Sequence, residues 1–141
     1  MTSRRPDLAV FGSGAWGTAL AMAWAREGAH VALWGHPPEA VREMATTRRH
    51  PRLAGAELPA NVTPHSDPEP AFQAPIWISA LPTQITPSIW ERLLGATPER
   101  PEILIHVSKG LLQKNHQRIS EALAPILGVP IGVLSGPSFA D

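Results

Sequence analysis

The sequence has no cysteine, no net charge and no long uninterrupted apolar run, and each absence removes a class of explanation. Without cysteine there is no disulfide framework, no thiolate nucleophile and no Cys-ligated zinc or iron–sulfur site, which fits a reducing cytoplasm. Lys+Arg and Asp+Glu number 12 each in 141 residues, so no basic excess points to nucleic acid or an anionic membrane as partner. No stretch reaches the ~18 consecutive apolar residues of a spanning helix, so membrane insertion is not expected. None of the six histidines makes a convincing i, i+4 pair with another metal-type ligand, and no metal site is expected. What is present is a globular composition, 43% hydrophobic and 17% charged, made loop-rich by 16 prolines and 11 glycines. The length suits one domain over residues 1–141.

Ser3-Arg4-Arg5 followed by an apolar run to Ala25 has the outline of a twin-arginine export signal. Asp7 interrupts it, and the glycines within the run fit another pattern better. Leu8-Ala9-Val10-Phe11 is a short, wholly apolar segment of the kind buried on both faces of a parallel sheet. Residues 18–25 are strong helix formers ending near Gly28, and residues 30–34 form a second strand closed by Gly35, giving a βαβ unit. Further along, the pattern predicts a helix from Glu39 to Arg48, with acids early and bases late, and an irregular proline-rich excursion over 51–75 with a short strand near Asn61-Val62-Thr63. It then predicts a strand over 76–81, a helix over 87–94, a strand over 102–107, a helix over 115–127 and a final strand over 130–134. Of the five tryptophans, all but Trp16 are expected in the core. The alternation implies an α/β domain of Rossmann type: doubly wound, mainly parallel, with helices on both faces and ligands beyond the carboxyl ends of the strands.

The motifs cluster at those ends. Gly12-Ser13-Gly14-Ala15-Trp16-Gly17 is G-x-G-x-x-G, directly after a strand and opening a helix. The first glycine permits a tight turn, the second lets the backbone approach a pyrophosphate, and the third lets helix and strand pack closely. Backbone N–H groups and the positive helix end then hold the anion. Where a fold of this kind that favours the unphosphorylated dinucleotide places an acid after the second strand, this chain has Gly35-His36 and no acid before Glu39. An imidazole accommodates a 2′-phosphate, so the pattern leans to NADPH while leaving NADH open. Ser108-Lys109-Gly110 follows the strand over 102–107 and sets an ammonium at the same edge, where it can neutralise a phosphate or orient a reacting oxygen. Ser135-Gly136-Pro137-Ser138-Phe139-Ala140 closes the last strand and is not the G-x-S-x-G of a hydrolase elbow.

Taken together, these segments resemble the N-terminal domain of the bacterial NAD(P)-dependent glycerol-3-phosphate dehydrogenase family. The likeness rests on the glycine loop through Leu20, Leu33-Trp34-Gly35-His36, Leu58-Pro59-Ala60-Asn61-Val62, Leu81-Pro82-Thr83-Gln84, Val107-Ser108-Lys109-Gly110-Leu111 and Leu134 through Ala140, in the family's order. The resemblance implies reduction of dihydroxyacetone phosphate to sn-glycerol 3-phosphate for phospholipid synthesis, with NADPH or NADH as cofactor. It implies cofactor contacts at Ala15, Trp16, His36, Lys109 and Ala140, and contacts to the phosphorylated small-molecule substrate at Lys109, Gly136 and Ser138. It is compatible with a homodimer of the full-length enzyme. Ala15 stands where serine is frequent, and residues 50–55 depart from the family's N-x-x-Y-L-P-G wording. The family's proton-transferring lysine belongs to an α-helical C-terminal domain expected to be absent from this chain, so the chain alone is expected to bind cofactor with little turnover. The alternatives are a stand-alone dinucleotide-binding module without chemistry and a related ketopantoate or β-hydroxyacid reductase.

Overall fold

The computed structural model describes residues 4–135. Six parallel strands form one sheet: β1 (Leu8–Phe11), β2 (Val31–Trp34), β3 (Val62–His65), β4 (Ile76–Ser79), β5 (Ile103–His106) and β6 (Ile131–Val133). Their spatial order is β3-β2-β1-β4-β5-β6, so the chain winds outward from β1 in one direction, returns, and winds outward in the other. Between β1 and β4 lies the switch point at which such sheets open a crevice.

Helices α1 (Ala15–Arg26) and α2 (Pro38–Thr47) connect the first three strands, and α3 (Thr86–Gly95) and α4 (Ile119–Leu127) connect the last three. β1 shows why both faces must be covered. Its residues alternate direction, so Leu8 and Val10 join Ala21, Met22, Met44 and Ile78 in one core. Ala9 and Phe11 point the other way, into a core built on Trp77, Trp90, Leu104 and Leu123. The doubly wound reading of the sequence is therefore correct. In the second core Phe11 is surrounded by Trp34, Phe72, Trp77 and Trp90, with ring centroids 6.1, 5.9, 5.4 and 4.8 Å away. Trp90 Nε1–H donates to Ser79 Oγ at 2.9 Å, so its one polar atom is satisfied inside the core. Trp77 and Trp90 are fully buried, while Trp24 and Trp34 pack against the cores from partly exposed positions.

Most element boundaries shift by a residue or two from the sequence pattern, β4 for instance ending at Ser79 rather than 81, and three shifts are instructive. α1 starts at Ala15 rather than 18, taking Gly17 into its first turn. α2 stops at Thr47, because Arg48 adopts a left-handed conformation (φ 60°) and turns its guanidinium back to donate to the carbonyls of Pro59 and Val62 at 2.6 and 2.8 Å. α4 begins at Ile119, not 115: Leu112 N–H donates to Gln117 O at 2.9 Å and His116 sits at φ 60°, so this stretch is a closed turn. The excursion after α2 is tied down as well. Asn61 Nδ2 donates to the carbonyls of Ala25 and Ala29, both at 2.7 Å, satisfying acceptors at the C-terminal end of α1. β3, which carries Pro64, is an edge strand, the position in a sheet where proline is tolerated.

Candidate cofactor-binding site

β1 delivers the chain to Gly12 at the carboxyl edge of the sheet, and the three fingerprint glycines do three different things there. Gly12 has φ 127°, and a Cβ on it would collide with the carbonyl oxygen of Ala80 at the end of β4. A Cβ on Gly17 would collide with the carbonyl oxygen of Gly12, so α1 rests directly on the turn beneath it. Gly14 is open: the nearest atom to its Cβ position is Nη2 of Arg52, 3.8 Å away. First and third glycines are thus explained by packing, and the second by space left for something else. Gly35, which the sequence marked only as a strand end, is a fourth requirement, because a Cβ there would overlap the Ser13 side chain.

The N-terminus of α1 has no side-chain cap and no acidic residue in its first turn. Its leading N–H groups and positive dipole end are left to an anion from outside the helix. The loop shape is held by Ser13, whose carbonyl accepts from Thr18 Oγ1 at 3.2 Å and from His50 Nε2 at 3.0 Å. The loop opens into a cavity of about 910 Å³ whose far wall is apolar, with Leu81, Pro82, Ile85 and Ile89 facing Trp34, Gly35 and His36. Ile85 is 47% exposed and Trp16 is 59% exposed, a pair of large apolar side chains at the mouth, where a flat aromatic ligand would cover them. The site fits a dinucleotide on these grounds: a pyrophosphate at the helix end and an apolar slot for a base.

Of the residues the sequence singled out, Gly12, Ser13, Gly14, Ala15, Trp16, Gly17 and His36 line this one cavity. Lys109 does not line it. It is exposed on the loop after β5, the next strand end but one along the edge from β1. That loop is stapled to the one after β4: Thr83 Oγ1 donates to Lys109 O at 2.6 Å, Ser108 Oγ to Leu81 O at 2.5 Å, and Gln84 Nε2 to Leu111 O at 3.0 Å. Gly136, Ser138 and Ala140 lie outside the described residues. Among the described residues no group of three potential ligands could hold a metal ion, and no helix is long and apolar enough to cross a membrane.

His106, the last residue of β5, is a polar side chain buried in the strand expected over 102–107. Burial pushes its pKa below the ordinary value near 6.5, and a hydrogen bond to the Ser108 backbone opposes the shift only in part. Its Nδ1 has no hydrogen-bond partner among the described residues. The unfolded chain, with an ordinary imidazole, binds more protons in the interval below about pH 6.5, so stability is full above that value and falls as pH drops through it. His65 is shifted the same way, by burial against an opposing attraction from Asp67. Urea midpoints measured from pH 7 to 5.5 are expected to fall, and His106→Leu should flatten the dependence. A slope unchanged in that variant would show that His106 is not responsible.

Comparison with known proteins agrees with this geometry. The family model for the NAD-dependent glycerol-3-phosphate dehydrogenase N-terminus matches residues 7–141. Glycerol-3-phosphate dehydrogenase [NAD(P)+] of Thioalkalivibrio sulfidiphilus is 38% identical over 142 aligned residues, covering 96% of this chain and 42% of the relative. The second such enzyme of Salinibacter ruber is 40% identical, over 96% of this chain and 41% of the relative. The crystal structure of glycerol-3-phosphate dehydrogenase from Coxiella burnetii superposes with a TM-score of 0.84 at 28% identity, over 94% of this chain and 41% of that one. The chain therefore spans roughly two fifths of the length of these relatives. With its classically ordered sheet, its glycine loop and a match running through almost all of its residues, the chain belongs to the NAD(P)-dependent glycerol-3-phosphate dehydrogenase family, of which it corresponds to the N-terminal part.

Proposed function

We propose that this chain is the cofactor-binding half of a cytoplasmic enzyme that reduces dihydroxyacetone phosphate to sn-glycerol 3-phosphate for phospholipid synthesis. The observation that carries the reading is the uncapped start of α1, opening beside Gly14 onto a cavity at the sheet's switch point. NAD(P)H, when bound, supplies the hydride that reduces the substrate carbonyl. The chain's own part is placement. The backbone of the glycine loop holds the pyrophosphate, the apolar wall at Ile85 and Ile89 takes the adenine, and His36 stands beside the adenosine ribose. The strand ends lead from β1 through β4 to β5, so Lys109, on the loop after β5, stands at the same sheet edge as the glycine loop, where its ammonium would neutralise the phosphate of the substrate. Gly136 and Ser138 are assigned to the substrate and Ala140 to the cofactor on the family likeness. Proton transfer to the nascent alkoxide is assigned to a lysine of the α-helical domain that such an enzyme carries beyond this sequence.

Titration with NADPH and NADH, followed by tryptophan fluorescence or calorimetry, tests the binding half of this proposal. His36→Asp is expected to weaken NADPH by about tenfold or more, since a carboxylate would face the 2′-phosphate, and to leave NADH unchanged or tighter. Unchanged NADPH affinity would remove His36 from the ribose site. Failure of the wild-type chain to bind either dinucleotide would overturn the proposal.

A further inference from the structure

A second cavity, of about 590 Å³, lies on the other side of His36, between the glycine loop, α2 and the loop that follows α2. Ser13, Gly14, His36 and Arg52 line both this space and the larger one, so Arg52 stands on the partition between them. The second cavity also receives Arg49 and a single carboxylate, Glu43. Neither Arg49 nor Arg52 takes part in an ion pair or makes a guanidinium hydrogen bond with a described residue. Two unpaired guanidinium groups against one carboxylate leave this space short of negative charge.

Arg52 is held there by its neighbour. His50 is buried, its Nδ1 accepts from the Arg52 backbone N–H at 3.1 Å, and its Nε2 lies 3.0 Å from the Ser13 carbonyl. An amide N–H can only donate, so Nδ1 is the acceptor and Nε2 carries the proton. One neutral tautomer therefore satisfies both bonds and latches the loop over 49–52 to the glycine loop. The base of the same loop is fixed by the Arg48 contacts to Pro59 and Val62. The guanidinium of Arg52 then overhangs Gly14 from the His36 side.

We propose that Arg52, positioned by the His50 latch, is the anchor for the 2′-phosphate of NADPH, and that it rather than His36 carries most of the discrimination against NADH. This rests on the dinucleotide reading above and adds to it a residue outside the β2 end. The pyrophosphate already has the N-terminus of α1, whereas the lining shared by the two cavities, Ser13, Gly14, His36 and Arg52, holds no acid to bind a free 2′-hydroxyl, the one carboxylate of the second cavity being Glu43 on α2. A phosphate monoester near −2 at neutral pH offers a planar guanidinium paired acceptors, and a free hydroxyl does not.

The test compares dissociation constants of the chain and its Arg52→Gln and Arg52→Lys variants for NADPH, NADH and adenosine 2′,5′-bisphosphate. Arg52 is exposed and its side chain makes no hydrogen bond or ion pair with a described residue, so thermal unfolding should be unchanged and serves as the folding control. For Arg52→Gln the expected result is a loss of about tenfold or more for NADPH and for the bisphosphate, with NADH within about threefold of wild type. Arg52→Lys should fall between, keeping charge but losing the fork. Equal losses for NADH and NADPH would move Arg52 to the pyrophosphate and overturn the inference, as would no loss for either. Wild type binding neither dinucleotide would instead remove the underlying cofactor reading.

Discussion

Gly12→Ala is expected to cost about 2–5 kcal/mol of folding stability and to abolish dinucleotide binding, the sum of a strained dihedral and a backbone collision. The two contributions can be separated inside the same chain. Gly12 and Gly28 both have positive φ, 127° and 103°, but a Cβ at Gly28 meets nothing within 4 Å. Gly28→Ala therefore carries the dihedral cost alone, about 1–2 kcal/mol. At Gly12 the obstacle is the carbonyl of Ala80, and Ala80 N–H in turn donates to Phe11 O at 2.9 Å. The Cβ cannot be relieved without separating β1 from β4 at the point where the crevice opens. Denaturant unfolding of the two variants should show a clearly larger loss at Gly12. Equal losses would mean that the turn relaxes freely and that the contact with Ala80 does not fix it.

Phe11→Ala should be comparably severe, about 3–5 kcal/mol, because a buried aromatic is replaced by a void that four rings would have to collapse to fill. They are poorly placed to do so. Trp77 and Trp90 are stacked 5.5 Å apart at 11°, and Trp90 is further held by its bond to Ser79. A domain with total stability of about 5–15 kcal/mol has little margin for such a loss. Near-UV circular dichroism offers a local readout, since the stacked tryptophans should lose their fixed geometry before the helices melt. Phe11→Leu, nearer in volume, is the control: it should keep the fold, and dinucleotide affinity with it, if Phe11 acts through the core and not through contact with ligand. Loss of binding in a fully folded Phe11→Leu protein would contradict that.

Much of this architecture could be read from the sequence because its signals are local. A four-residue apolar run followed by Gly12 needs no partner to identify it as a buried parallel strand entering a tight turn, and the helices declare themselves through composition over ten or so residues. What stayed hidden depends on contacts between distant residues. His50 touches Ser13 across 37 positions, and no periodicity announces that a histidine in a proline-rich stretch latches the glycine loop. Gly35 looked like a strand terminator because the Ser13 side chain that requires it comes from another loop. The start of α4 was misplaced for a related reason: residues 115–118 have acceptable helix composition, but Asn115 Oδ1 accepts from the Gln117 N–H at 3.1 Å and stabilises a turn instead. His106 shows the opposite error, a polar residue hidden in an apolar strand.

The proline in β3 affects how this sheet meets other chains. Asn61 O accepts from Val31 N–H, so Asn61, Thr63 and His65 turn their backbone groups toward β2 while Val62 and Pro64 turn theirs outward. Pro64, itself buried, thus removes an amide donor from the outer margin of the sheet, where the Val62 carbonyl is already taken by the Arg48 guanidinium. A strand arriving from a second molecule would find an interrupted ladder there, so this margin is blunted against edge-to-edge pairing.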